Sequence, residues 1–153
     1  MSLDVYLYGP ERNVECDCPT CGHGHTTSVR DCLFSRNITH NLGRMASEAG
    51  VYYALWHPAD ILDPGSNDRI RELRRQKRYD EEAVARSSLP VVHASDLVGP
   101  LRQGLSLLTS DPARFQLLNP GNGWGDYGGL LEFVREYLAA CERFPESTVE
   151  AHG

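Results

Sequence analysis

Ser2-Leu3-Asp4-Val5-Tyr6-Leu7-Tyr8 is the stretch on which the fold turns. Leu3, Val5 and Leu7 alternate with Asp4, Tyr6 and Tyr8, the period of two that a strand shows when one face is buried and the other is wet. A strand needs partners. Gly9-Pro10-Glu11-Arg12-Asn13 is a turn cluster, after which residues 14–17 read as a returning strand and residues 29–35 as a third. The β-prone segment Ser147-Thr148-Val149-Glu150-Ala151 could pair with the first strand from the far end of the sequence. The expected architecture is α+β, a mostly helical domain with a small antiparallel sheet from both termini and a zinc knuckle.

From Asn37 the period becomes helical. Ile38, Leu42, Met45 and Ala49 form one stripe, and Gly50 stands where a glycine ends a helix. Residues 51–56 make a short apolar turn closed by His57-Pro58, and Asp63-Pro64-Gly65-Ser66-Asn67 is a loop. Residues 68–86 read as one very polar helix. Ser95 is the expected cap of a helix to Leu108, with Pro100 near its first turn, and Ser110-Asp111-Pro112 opens a short helix to Leu118. Residues 127–143 carry the strongest pattern, with Leu130, Leu131, Val134, Leu138 and Cys141 on one face and Phe144-Pro145 as the stop. No repeat or linker divides the chain. Residues 1–153 read as one domain, with a β and knuckle portion at 1–36 and a helical portion at 37–146.

Composition sets bounds on function. The chain has 153 residues, of which 41% are apolar and 24% charged, and at this length folding can bury roughly two-thirds of the unfolded surface without disulfides. No apolar run approaches the ~20 residues of a membrane span. The opening residues lack the basic flank and apolar segment of a signal peptide, so the expected compartment is the cytoplasm. A formal charge of −6 argues against a dedicated nucleic-acid binder.

Five cysteines are present, three of them at Cys16, Cys18 and Cys21. In a reducing compartment such a cluster points to metal rather than to disulfides. Cys18-Pro19-Thr20-Cys21-Gly22 can chelate zinc through a tight turn, and the remaining ligands would come from Cys16, His23, His25 or Cys32. The set Cys16, Cys18, Cys21 and His25 would close a tetrahedral site with local residues, giving a structural zinc; an open fourth position would instead permit hydrolysis. Cys141 reads as a core thiol.

Two polar segments suggest a ligand pocket. Asn37-Ile38-Thr39-His40-Asn41 opens the first helix, where Asn37 or Thr39 can cap and His40 and Asn41 can face an anion. Asn119-Pro-Gly-Asn122-Gly-Trp124-Gly-Asp126-Tyr127 sets amides and two aromatic rings on a glycine frame. The expected ligand-binding set is Asn37, Thr39, His40, Asn41, Asn122, Trp124 and Tyr127. Capping and core packing account for the same residues without any ligand. Residues 69–78 carry six positive charges, followed by Asp80-Glu81-Glu82. They read as a solvated helix face whose arginines pair with nearby acids.

The opening residues 1–7, the knuckle, residues 37–42, Ala54-Leu55-Trp56-His57-Pro58 and residues 119–130 together resemble a family of small uncharacterised proteins common in bacteriophages and prophages. The likeness leaves out residues 63–90, which look like an insertion. It implies phage origin, hence the cytoplasm of a host cell, and it implies little chemistry. Knuckle-bearing members look like Cys-x-Cys-x-x-Cys followed by a histidine, a pattern that favours His25 over His23. Three functions are compatible with these residues. The first is a zinc-binding accessory protein whose polar-aromatic pocket takes a small molecule or nucleotide. The second is a structural-zinc module that engages a host protein. The third is a metal- or histidine-dependent hydrolase.

Overall fold

The computed structural model describes residues 2–16, 20 and 24–153. The protein is α+β, with eight α-helices, a three-stranded sheet and a two-stranded sheet among the described residues. Strand β1 (Ser2–Tyr8) is central in the larger sheet. It pairs antiparallel with β4 (Cys32–Thr39) along one edge and with β5 (Thr148–His152) along the other. Leu3, Val5 and Leu7 are buried, as the alternation requires, and burying each is worth roughly 1.5–3 kcal/mol. The two ends of the chain thus meet in one sheet.

The first hairpin differs from expectation. β2 (Arg12–Glu15) does not return along β1 but pairs with β3 (Thr26–Val29) as a separate two-stranded sheet. Both edges of β1 are already taken, so β2 has no place beside it. The strand expected at 29–35 belongs to β4, which runs on through Asn37, Ile38 and Thr39 before the helices begin. Ile38 is therefore buried from a strand, opposite Leu3, and the change to helix falls after Thr39 rather than at Asn37.

A 3-10 turn (His40–Leu42) leads into α1 (Gly43–Glu48), and Gly50 lies just beyond its end with φ +73°. Next come α2 (Tyr52–Trp56) and α3 (Ala59–Leu62). The expected helix over 68–86 is two helices, α4 (Ser66–Arg75) and α5 (Tyr79–Ser87). Lys77 adopts φ +59° between them. The Lys77 N–H bonds the Arg74 carbonyl and the Arg78 N–H bonds the Leu73 carbonyl, which closes α4 with the pattern usually built on glycine.

The two long helices, α6 (Ala94–Ser110) and α8 (Tyr127–Arg143), pack together beneath the sheet, with α7 (Pro112–Gln116) between them in sequence. Leu97, Leu101 and Leu108 meet the stripe Leu130, Val134, Leu138 and Cys141 in one core. Burial pushes the Cys141 thiol up to about 12. Asp126 caps α8 by accepting from the Gly129 N–H at 2.7 Å. Ser95 is not the cap of α6. The Ala94 and Ser95 N–H groups donate to the Ser147 and Pro145 carbonyls, and Asp96 accepts from the His93 N–H. Pro100 consequently stands in the second turn. No helix among the described residues is long and apolar enough to cross a membrane.

Gly104 of α6 marks where the helix meets the residues around α2. A Cβ there would lie 2.1 Å from Val51 Cγ1 and 2.9 Å from the Ala49 carbonyl oxygen. Alanine gains about 1 kcal/mol of helix propensity over glycine, against an overpacking cost of about 1–3 kcal/mol. Because one neighbour is backbone, the clash outweighs the gain. Gly104→Ala is expected to lower the urea midpoint; an equal or higher midpoint would show that the two elements can separate at no cost.

Candidate functional site

The polar segments that the sequence singles out meet on the solvent face of the sheet. Register places Ser2 opposite Thr39 and Asp4 opposite Asn37, so these side chains share the face opposite Leu3 and Ile38. Ser2, Asn37, Thr39 and Asn41 line a cleft of about 520 Å³ together with Asn122 and Trp124 from the loop before α8. Gly125 brings that loop in. Its φ is +87°, and a Cβ there would lie 2.6 Å from Thr39 Cγ2 and 3.1 Å from Leu42 Cδ1. The close approach that glycine permits is thus to β4 and the 3-10 turn.

Each polar group has a local role as well. Asn37 Nδ2 donates to Asp4 Oδ1 at 2.7 Å across the strands. Asn37 is therefore a strand residue and not a helix cap. Thr39 is the cap, its hydroxyl accepting from the N–H and side-chain amide of Asn41. Asn122 Oδ1 accepts from the Trp124 N–H at 3.0 Å, and Asn119 Oδ1 accepts from the Tyr127 N–H at 2.7 Å. Trp124 remains 69% exposed, so it does not plug the core.

Two of the expected ligand residues face elsewhere. Tyr127 is buried, stacks on Phe115 and donates its hydroxyl to the Leu108 carbonyl at 2.8 Å, which makes it a core residue. His40 lines a second cleft of about 470 Å³, with Tyr52, Trp56, His57, Asn67, Arg71, Arg74 and Arg86 also on its wall. Trp56 Nε1–H donates to His40 Nδ1 at 2.7 Å. A ring so engaged has no lone pair left at Nδ1 with which to act as a base.

The expected zinc is corrected. Among the described residues no group of three or more His, Cys, Asp or Glu side chains is placed to hold a metal ion. Cys16 and His25 face each other at the end of the β2–β3 hairpin, where the Cys16 N–H donates to the His25 carbonyl at 3.1 Å. Cys32 lies on β4 with its thiol toward the Phe34 carbonyl. The two donors found there among the described residues are fewer than the four that zinc takes in a structural site. Cys18, Cys21 and His23 lie outside the described residues.

The signals missed in the sequence are the cations of the second cleft. Arg71 and Arg74 lie in the run that reads as a solvated face, many of whose pairs do have that character, and Arg86 ends the polar helix expected over 68–86. Arg69–Asp63, Arg75–Glu72 and Arg78–Glu81 are exposed ion pairs, which contribute little to stability. The break at Lys77 folds α5 back on α4, so Arg74 and Arg86 both reach Oε1 of Glu82 at 2.9 Å. Those two guanidiniums hold the Glu82 carboxyl below the ordinary range. No sequence spacing announces this arrangement, because it depends on a turn without glycine.

Comparison with known proteins finds no matching family model, no matching curated protein and no matching solved structure.

Two predictions follow from this geometry. Gly125→Ala combines a left-handed backbone with a contact against Thr39 and should cost about 1–3 kcal/mol. The Thr39 methyl resonance should shift with it; an unshifted methyl would mean that the loop does not seat there. The second concerns His57, whose pKa is lowered by burial and then by the nearby Arg71. The unfolded ring titrates near about 6.5 and the folded ring below that, so the unfolded state binds more protons as pH falls. The contribution is complete above about pH 6.5 and is lost below it, whereas the carboxylates titrate lower. The melting temperature should fall between about pH 7 and pH 5.5, and less steeply in His57→Gln. Equal slopes in the two proteins would remove His57 from the account.

Proposed function

We propose that this chain is a binding protein for a nucleobase-bearing small molecule, held in the cleft between β4 and the loop before α8. One observation carries the reading: four side chains of the 37–41 segment and the 119–127 loop, distant in sequence, line one cleft with an exposed indole, Trp124. Asn37, Asn41 and Asn122 each present a carboxamide, which donates and accepts at once and so complements the edge of a base. Trp124 offers a flat face on which such a ring can stack, a contact worth about 1–3 kcal/mol per base. Ser2 and Thr39 add hydroxyls on the floor. The reading proposed is binding without turnover.

The protein contains two tryptophans, Trp56 and Trp124, and hence two indole N–H resonances. Titrating the full chain with adenosine, guanosine, cytidine and uridine should move the Trp124 resonance in a saturable way with at least one of them and leave Trp56 in place. Trp124→Ala should weaken that nucleoside by about tenfold or more, the equivalent of one lost stacking contact, without changing the melting temperature. Four nucleosides that leave Trp124 unmoved at millimolar concentration would overturn the proposal.

A further inference from the structure

The second cleft presents donors that converge from three elements, and its hydrogen-bond bookkeeping is incomplete. Indole Nε1–H can only donate, so the bond from Trp56 at 2.7 Å makes His40 Nδ1 an acceptor and places the ring proton on Nε2. That Nε2 is buried and has no hydrogen-bond partner among the described residues. Gly153 lies against the same side of the ring, where a Cβ would fall 3.0 Å from Nε2. A guanidinium likewise only donates, so Arg71 Nη2 at 2.7 Å makes His57 Nε2 an acceptor and keeps that ring neutral. Tyr52 OH lies 3.5 Å from the same nitrogen, and its ring stacks on Trp56.

Charge follows the same pattern. The lining contains Arg71, Arg74 and Arg86 and, among the described residues, no Asp or Glu side chain. Glu82 is buried outside the lining and holds Arg74 and Arg86 side by side, leaving one positive charge of that trio in excess. Asp68 sits 3.5 Å from Arg71 but its side chain is largely in solvent. Asp60, near His57, is occupied by the Ser66 hydroxyl at 2.6 Å and the Asn67 N–H at 3.0 Å.

We propose that this cleft is an anion site for the phosphate group of a small phosphorylated molecule, with Arg71 and His40 Nε2–H as its principal donors and Arg74 and Arg86 as the fixed positive field. A phosphate suits it better than a carboxylate because its oxygens point in several directions, toward donors from the 3-10 turn, from α4 and from α5. The Tyr52–Trp56 stack gives the remainder of the molecule an apolar wall. The site is separate from the one proposed for a nucleobase, and Trp56 reports on it as Trp124 reports on the other.

The test uses the isotopically labelled full chain at low salt, titrated with inorganic phosphate and then with pyrophosphate. The Trp56 indole resonance should shift saturably, because its acceptor is the ring that takes the anion, while Trp124 stays fixed. Arg71→Gln, at an exposed position that folding tolerates, should weaken pyrophosphate by about tenfold. His40→Asn keeps an acceptor for the indole, loses the Nε2–H and should weaken it by several fold. Sodium chloride should weaken binding in the parent chain. A Trp56 resonance that ignores millimolar pyrophosphate, or an equal response in Arg71→Gln, would overturn the proposal. So would a short single-stranded RNA that shifts Trp56 where pyrophosphate does not, since the surface would then serve a polymer.

Discussion

Strand β1 has both edges filled, and the rest of the molecule is arranged around that constraint. With β4 on one side and β5 on the other, every backbone donor and acceptor of its central residues is spoken for, and buried backbone groups left unpaired would be costly. The β2–β3 hairpin is excluded from the sheet for this reason. Helix α8 packs against β4 and α6 packs on α8, and their apolar residues share one core with Leu3, Val5, Leu7 and Ile38. The connection from α8 back to β5 then supplies the carbonyls that cap α6. Sheet, helix start and chain end form one cooperative unit.

The junction after β4 distributes chemistry to two sides. Thr39 and Asn41 face the cleft with Trp124, whereas His40 between them turns to the cationic cleft. A strand ending in a 3-10 turn does this naturally, because neighbouring side chains leave the backbone in different directions. The two clefts thus adjoin at three consecutive residues, yet each has its own indole.

Much of the frame is legible in the sequence because it rests on local pattern. The alternation at residues 3–8, the apolar face of α8, the glycine at position 50 and the β-prone tail each state their structure within a few residues. Where the expectation differed, non-local pairing decided. Asn37–Thr39 extend β4 because β1 offers them partners, and Ser95 yields the cap of α6 to carbonyls some fifty residues away. Of the polar residues chosen as ligand candidates, those on the strand and the glycine loop converge. Tyr127 is claimed by the core, and His40 by a cleft built from arginines whose common destination depends on the turn at Lys77. The zinc expectation rested on cysteine spacing, a reducing compartment and the family resemblance, and the described residues do not gather a ligand set.

That turn has a practical corollary. Lys77 is the single lysine among 15 basic residues, and its exposed side chain stands at the bend between α4 and α5 in the left-handed region. A lysine-specific protease or an amine-directed label therefore addresses one side chain in the whole sequence. Its position divides Arg71 and Arg74 from Arg86. A nick there would leave the terminal strands paired while releasing the two arms of the cationic cleft from their covalent link, and a dye there would sit at the tip of the hairpin that carries them.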